Sequence, residues 1–264
     1  VAVATPGFGL CLFALLSSEH WVNDAYCGTT CAVPIEIMKI MDLGPRVVVE
    51  FVGTALLVAV VVGSGIMAQS LTSDGGVALL LNQLSTVFGL GVLILVTLPL
   101  SGAHLNPAVT LAFVLRRGVP LGEALAYGAS QLIGGLAGVL LAQIMFDRPL
   151  LEVATQERLS VGTFVSEIVA TTGLIVLILL LVDRGQASLI PVAVPVWIGA
   201  GYVFTSSTAF ANPAVTLGRM FSDSFAGIAP LSGGGFMGAQ VVGVALALVI
   251  VVPLMVHKKE AVDV

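Results

Sequence analysis

Apolar residues run through this chain in long unbroken blocks, separated by short polar ones. After Pro45, six blocks reach about the 20 residues that a ~30 Å hydrocarbon core requires, at roughly 47–67, 77–98, 121–146, 161–182, 189–207 and 231–256. Membrane-spanning strands would alternate apolar and polar positions, so continuous runs of this length predict helices and exclude a β-barrel. Turn-type residues punctuate them, as in Thr72-Ser73-Asp74-Gly75-Gly76 and Asp183-Arg184-Gly185-Gln186. Residues 1–44 stand apart. Their apolar stretch, about 8–16, is too short to cross a bilayer, and no basic segment precedes it as in a secretory signal. They read as an N-terminal extension, opening on Val1 rather than Met as a trimmed chain or a literally translated start would.

Composition agrees with the pattern and removes whole classes of function. Of 264 residues, 58% are hydrophobic and 9% charged, with mean hydropathy +1.10. A soluble domain carries roughly a quarter charged residues, so lipid is the solvent for most of this chain. The ten Lys and Arg are scattered, with no basic stripe to hold nucleic acid. Their distribution orients the spans: with the amino terminus inside, Lys39, Arg46, Arg116, Arg117, Arg184, Lys258 and Lys259 fall on the inner side, against Arg148, Arg158 and Arg219 outside. Both termini are therefore expected in the cytoplasm, with 257–264 as a cytoplasmic tail. Cys11, Cys27 and Cys31 are odd in number and lie in the extension, so they supply no disulfide framework. Cys27 and Cys31 with His20 are either free thiols or soft-metal ligands, and they lack the four-ligand pattern of a structural site. No cofactor, resident metal or catalytic residue is expected.

The chain also repeats itself. Asn106-Pro107-Ala108-Val109-Thr110-Leu111 recurs letter for letter as Asn212-Pro213-Ala214-Val215-Thr216-Leu217. Glu50 and Glu167 occupy the first span of each half, and Gln131 and Gln240 follow the two motifs. Each half, about 45–146 and 160–256 within a channel domain of 45–258, holds three spans. An odd number turns the second half upside down, and inverted repeats place their functional site near the midplane between them. The segment from Asn106 to Leu115 is about ten residues, or ~15 Å of helix, half a hydrocarbon core. Asn is a good N-cap and Pro a good first helical residue, so each Asn-Pro-Ala begins a re-entrant half-helix. The fold class is thus all-α, with six transmembrane helices and two half-helices in an inverted repeat. Ser101-Gly102-Ala103-His104-Leu105 and 206–211 would supply non-helical backbone at membrane depth, tolerated only where it is buried or lines a wet cavity.

These motifs, with the Glu50-Phe51-Val52-Gly53-Thr54 run and Tyr127 beside Gln131, resemble the aquaporin and glycerol-facilitator family over about 45–256. The resemblance implies a passive channel for water and small neutral solutes, a homotetramer in the plasma membrane, and no enzymatic activity. It implies that Asn106 and Asn212 donate hydrogen bonds to passing oxygens. It assigns Glu50, Glu167, His104, Gln131 and Gln240 to bracing the re-entrant loops.

The filter departs from the family's pattern. Val215 stands where family members carry an arginine, and spacing places the other filter positions on Thr86, Ala200 and Ala209, with Phe88 the alternative to Thr86. Such a ring should be wider and less polar than that of a water-only channel, suiting glycerol, urea or undissociated metalloid acids such as arsenous acid, the last by resemblance to an arsenic-resistance branch that also replaces the arginine. Arg219, four residues beyond Val215, is either a displaced charge in the outer vestibule or a helix-end arginine binding carbonyls or headgroups. The residues also bear on two other functions. A gradient-coupled transporter would place ion-binding carboxylates where this chain has neutral amides. An intramembrane hydrolase would need a nucleophile and base at depth, for which Ser101 with His104 is the loose candidate.

Overall fold

A computed structural model describes residues 41–260, with side chains through Leu254. Residues 1–40 of the extension, with its three cysteines, and the last four residues of the tail lie outside it. Among the described residues, six helical segments are long and apolar enough to cross a membrane: α1 Leu43–Leu71, α2 Gly75–Ser101, α4 Leu121–Met145, α5 Val161–Asp183, α6 Ile190–Phe204 together with the 3-10 turn Ala187–Leu189 that precedes it, and α8 Pro230–Glu260. Between them lie the short helices α3 Pro107–Leu115 and α7 Pro213–Arg219.

Local chemistry sets the ends. Asp74 caps α2 by accepting from the Gly76 and Val77 amides at 2.8 and 2.9 Å. Ser160 and Thr163 form a reciprocal capping box at the start of α5. Asn106 and Asn212 cap α3 and α7, each with Pro at the first helical position. The span expected to run to residue 207 ends at Phe204, because Thr205 turns extended and the serines beyond it belong to the second re-entrant loop.

Within the first half α1 packs on α2 and α4; within the second, α5 packs on α6 and α8. Both half-helices also reach across, α3 to α8 and α7 to α1 and α4, which locks the repeats together. Glycine permits the closest approaches. A Cβ at Gly135 of α4 would lie 2.6 Å from the Ala214 carbonyl oxygen, so only a bare backbone lets α7 seat there. The outer faces carry exposed Leu80, Leu84, Phe88, Val92 and Leu95 on α2 and similar rows elsewhere. An apolar exterior around a polar-lined centre is the arrangement expected when lipid is the solvent.

Candidate functional site: a two-faced pore between the half-helices

The two re-entrant loops are built alike. Glu50 of α1 is fully buried and accepts four hydrogen bonds: from Ser101 Oγ (2.6 Å) and the His104 amide (2.9 Å) on one oxygen, and from the Leu105 amide (2.6 Å) and Gln131 Nε2 (2.8 Å) on the other. Glu167 of α5 repeats the set with Ser207 Oγ (2.6 Å), the Phe210 amide (2.9 Å), the Ala211 amide (2.9 Å) and Gln240 Nε2 (2.7 Å). Gln131 and Gln240 also donate to Thr110 and Thr216, whose hydroxyls donate to the carbonyls of Asn106 and Asn212. A buried carboxylate is costly unless paired or fully hydrogen-bonded, and here each carboxylate lies among four donors.

This bracing holds a strained backbone. Ala103 and Leu105 have φ of 49° and 45°, and Ala209 and Ala211 have 48° and 47°, all left-handed and all non-glycine. The conformation has a chemical consequence. Among the described residues, no hydrogen bond is made to the carbonyls of Gly102, Ala103, His104, Thr208, Ala209 or Phe210. Several of these residues line one continuous cavity. The half-helix N-termini meet at its middle. Asn106 Nδ2 donates to the Ala211 carbonyl and Asn212 Nδ2 to the Leu105 carbonyl, both at 2.8 Å, while each Oδ1 caps its own helix. An amide nitrogen carries two hydrogens, so each asparagine keeps one donor after this bond.

The opposite wall is apolar. Leu57 and Val61 of α1, Leu90 and Ile94 of α2, and Leu174 and Ile178 of α5 line it at helical spacing. A solute in this cavity meets donors and acceptors on one side and hydrocarbon on the other.

Of the expected filter residues, Thr86, Ala209 and Val215 line the cavity and Ala200 does not. Ala200 is exposed on the outer side of α6, while Val194, Ile198 and Tyr202 line the cavity at successive turns of that helix. Two residues are about 200° of helix, so the position expected at Ala200 belongs to the opposite face. Phe88, the alternative to Thr86, is 68% exposed on the apolar exterior. Tyr202 was not singled out by the sequence. Its hydroxyl donates to Thr86 Oγ1 at 3.0 Å across the cavity. The ring is consequently more polar than the four small residues suggested.

His104 engages the loop chiefly through its backbone amide. Its imidazole Nδ1 lies 3.0 Å from Thr110 Oγ1, and the ring stacks on Phe113 with centroids 4.9 Å apart. The same place in the second loop holds Phe210, with two cations near its ring: the Arg219 guanidinium 3.4 Å from the ring centroid and that of Arg158 at 5.9 Å. Arg158 donates to the carbonyls of Gly227 and Phe225. Burial holds its guanidinium below the ordinary value, with Tyr202 acting in the opposite sense. The serine and threonine members of both networks were also missed, although extending the repeat in register, Ser101 with Ser207 and Thr110 with Thr216, would have found them.

Comparison with known proteins matches the same arrangement. The family described as Major intrinsic protein covers residues 38–210. An aquaglyceroporin of Rhizobium meliloti (strain 1021), AqpS, is 44% identical over 211 residues, covering 80% of this chain and 90% of that protein. A probable TIP-type aquaporin of Medicago truncatula is 31% identical over 207 residues, 72% of this chain and 82% of that one. The X-ray structure of the aquaglyceroporin from Plasmodium falciparum shares the fold at TM-score 0.62 and 24% identity, over 81% of this chain and 98% of its own. The doubled Asn-Pro-Ala motif, the two braced loops and the six long helices therefore belong to a member of the major intrinsic protein family, an integral membrane channel of the aquaporin type and not an enzyme.

Proposed function

We propose that this chain is a passive pore for water and for small neutral solutes bearing several hydroxyl groups, with glycerol and undissociated arsenous acid as its class of solute. The observation that carries the reading is the two-faced wall: the unbonded carbonyls of the lining loop residues Ala103, His104, Ala209 and Phe210 with the two asparagine amides on one side, and aliphatic side chains on the other. A molecule with hydroxyls on one edge exchanges its hydration for those groups. A bare cation would lose a shell that one row of carbonyls cannot replace, and it would face two helix N-termini as well. Val215, Thr86 and Ala209 are small lining side chains, which favours solutes larger than water. The Lys and Arg asymmetry supports a plasma-membrane orientation with both termini cytoplasmic, and the family resemblance supports a homotetramer.

Proteoliposome swelling tests the reading, with water, glycerol and arsenous acid compared with and without imposed proton and sodium gradients. All three solutes should move down their own gradients, faster than in protein-free vesicles and indifferent to either ion. Solute flux that requires an ion gradient would overturn it, as would permeability equal to that of protein-free vesicles.

A further inference from the structure

We propose that Arg219 is the charge- and hydroxyl-selecting residue of the pore, seated one helical turn beyond Val215; this rests on the channel reading above. Four residues along α7 advance the chain ~6 Å from Val215 and ~40° around the helix axis, which keeps both side chains on the cavity. Arg219 is 3% exposed and lines the same cavity as Thr86, Tyr202, Ala209 and Val215. Its Nε donates to the Ala226 carbonyl, and its guanidinium carbon lies over the Phe210 ring, 3.4 Å from the centroid. One edge of the group is thus fixed by the backbone and one face by an aromatic.

The remaining edge is free. The terminal nitrogens of Arg219 make no hydrogen bond among the described residues, and they are not sealed away from the cavity. The acids in this half are otherwise engaged. Glu167 holds the four loop donors, Asp223 accepts from Thr155, Glu157 accepts from Ser232 and Glu152 pairs with Arg148. A guanidinium stays charged in proteins, and a buried one without a carboxylate must find its partners in whatever fills the cavity. Arg158, 5.9 Å from the centroid of the same Phe210 ring, adds a second positive charge and no compensating negative one. Arg219 therefore repels cations entering this half of the pore and offers paired donors to the oxygens of a hydroxylated solute. The small side chain at Val215 leaves the space in which such a solute can turn toward it.

The test uses the full-length protein and its Arg219→Lys, Arg219→Gln and Arg219→Leu variants in vesicles. Water, glycerol and urea permeabilities and sodium leak are measured for each. With Lys, cation exclusion should persist while the glycerol-to-water ratio falls, because a point charge replaces a fork of donors. Gln and Leu should still pass water, with sodium leak rising about tenfold and the glycerol-to-water ratio falling by a similar factor, as expected when a charge-assisted hydrogen bond is removed. If Gln or Leu folds, passes water and keeps the parent's ratios and ion tightness, the proposal is wrong. If neither folds, the Lys variant decides: a ratio equal to the parent's overturns it. Failure of the parent protein to pass any solute would instead overturn the channel reading.

Discussion

Replacing Glu50 with Gln keeps the shape of the side chain and changes one oxygen into a donor. In the structure each Glu50 oxygen receives two donors: Ser101 Oγ and the His104 amide on one, the Leu105 amide and Gln131 Nε2 on the other. Whichever way the new amide turns, two buried donors face an N–H group. Orphaning a buried donor costs about 1–3 kcal/mol, so the two together lose about 2–6 kcal/mol, and the two bonds to the remaining oxygen lose their charge assistance. Removing the buried charge offsets part of this, leaving a net cost of about 3 kcal/mol. The strain in the loop sets where that cost is felt. Ala103 and Leu105 hold φ near 49° and 45°, positions worth about 1–3 kcal/mol of strain each, and they relax once their amides and neighbours are released. About 3 kcal/mol multiplies the ratio of collapsed to braced first loop more than a hundredfold, so a parent gap of up to about 3 kcal/mol is enough to leave most Glu50→Gln molecules with a collapsed loop. Stopped-flow light scattering of vesicles with quantified protein should show water permeability per molecule down at least about tenfold, and the melting temperature in detergent should fall. Glu167→Gln should do the same, since it faces an equivalent set of donors. Parent-level water permeability and melting temperature in Glu50→Gln would refute the idea that the carboxylate holds the loop against strain.

Three further outcomes follow from the packing and the lining. Gly135→Val should displace α7, because even a Cβ would sit 2.6 Å from the Ala214 carbonyl oxygen; the cost, about 2 kcal/mol or more, reads out as a lowered melting temperature together with lost solute flux. Ala200→Leu should leave the glycerol-to-water ratio at the parent's value while Tyr202→Ala raises it, since only Tyr202 lines the cavity; a swelling assay giving the reverse order would undo the assignment of α6's inner face. Val215→Arg should cut glycerol flux more than water flux, by narrowing the cavity and placing a like charge one turn from Arg219; equal losses of both would count against Val215 as a lining residue.

The two asparagine half-helices and the six spans were legible from the chain alone, for reasons of short range, while the loop-bracing role of Glu50, Glu167, Gln131 and Gln240 came from the family resemblance and their pairing from the folded chain. Span length follows from bilayer thickness, half-helix starts from the capping chemistry of Asn-Pro, and the inversion from counting an odd number of spans between identical motifs. What failed was angular. Counting back from Asn212 to Ala200 assumes a loop of fixed length. Each residue turns a helix by about 100°, so that assumption put the position on the wrong face, and Tyr202 lines the pore instead. Arg219 could be read from the sequence either as a pore charge or as a helix-end cap. Only the folded chain decided, because the answer depends on Phe210 from one loop and the Ala226 carbonyl beyond α7 arriving together around one guanidinium. The sequence by itself determined the membrane fold, its duplicated centre and the missing arginine at Val215. Tertiary structure decided which side chains line the cavity, since that depends on how separately folded segments meet rather than on spacing within any one of them.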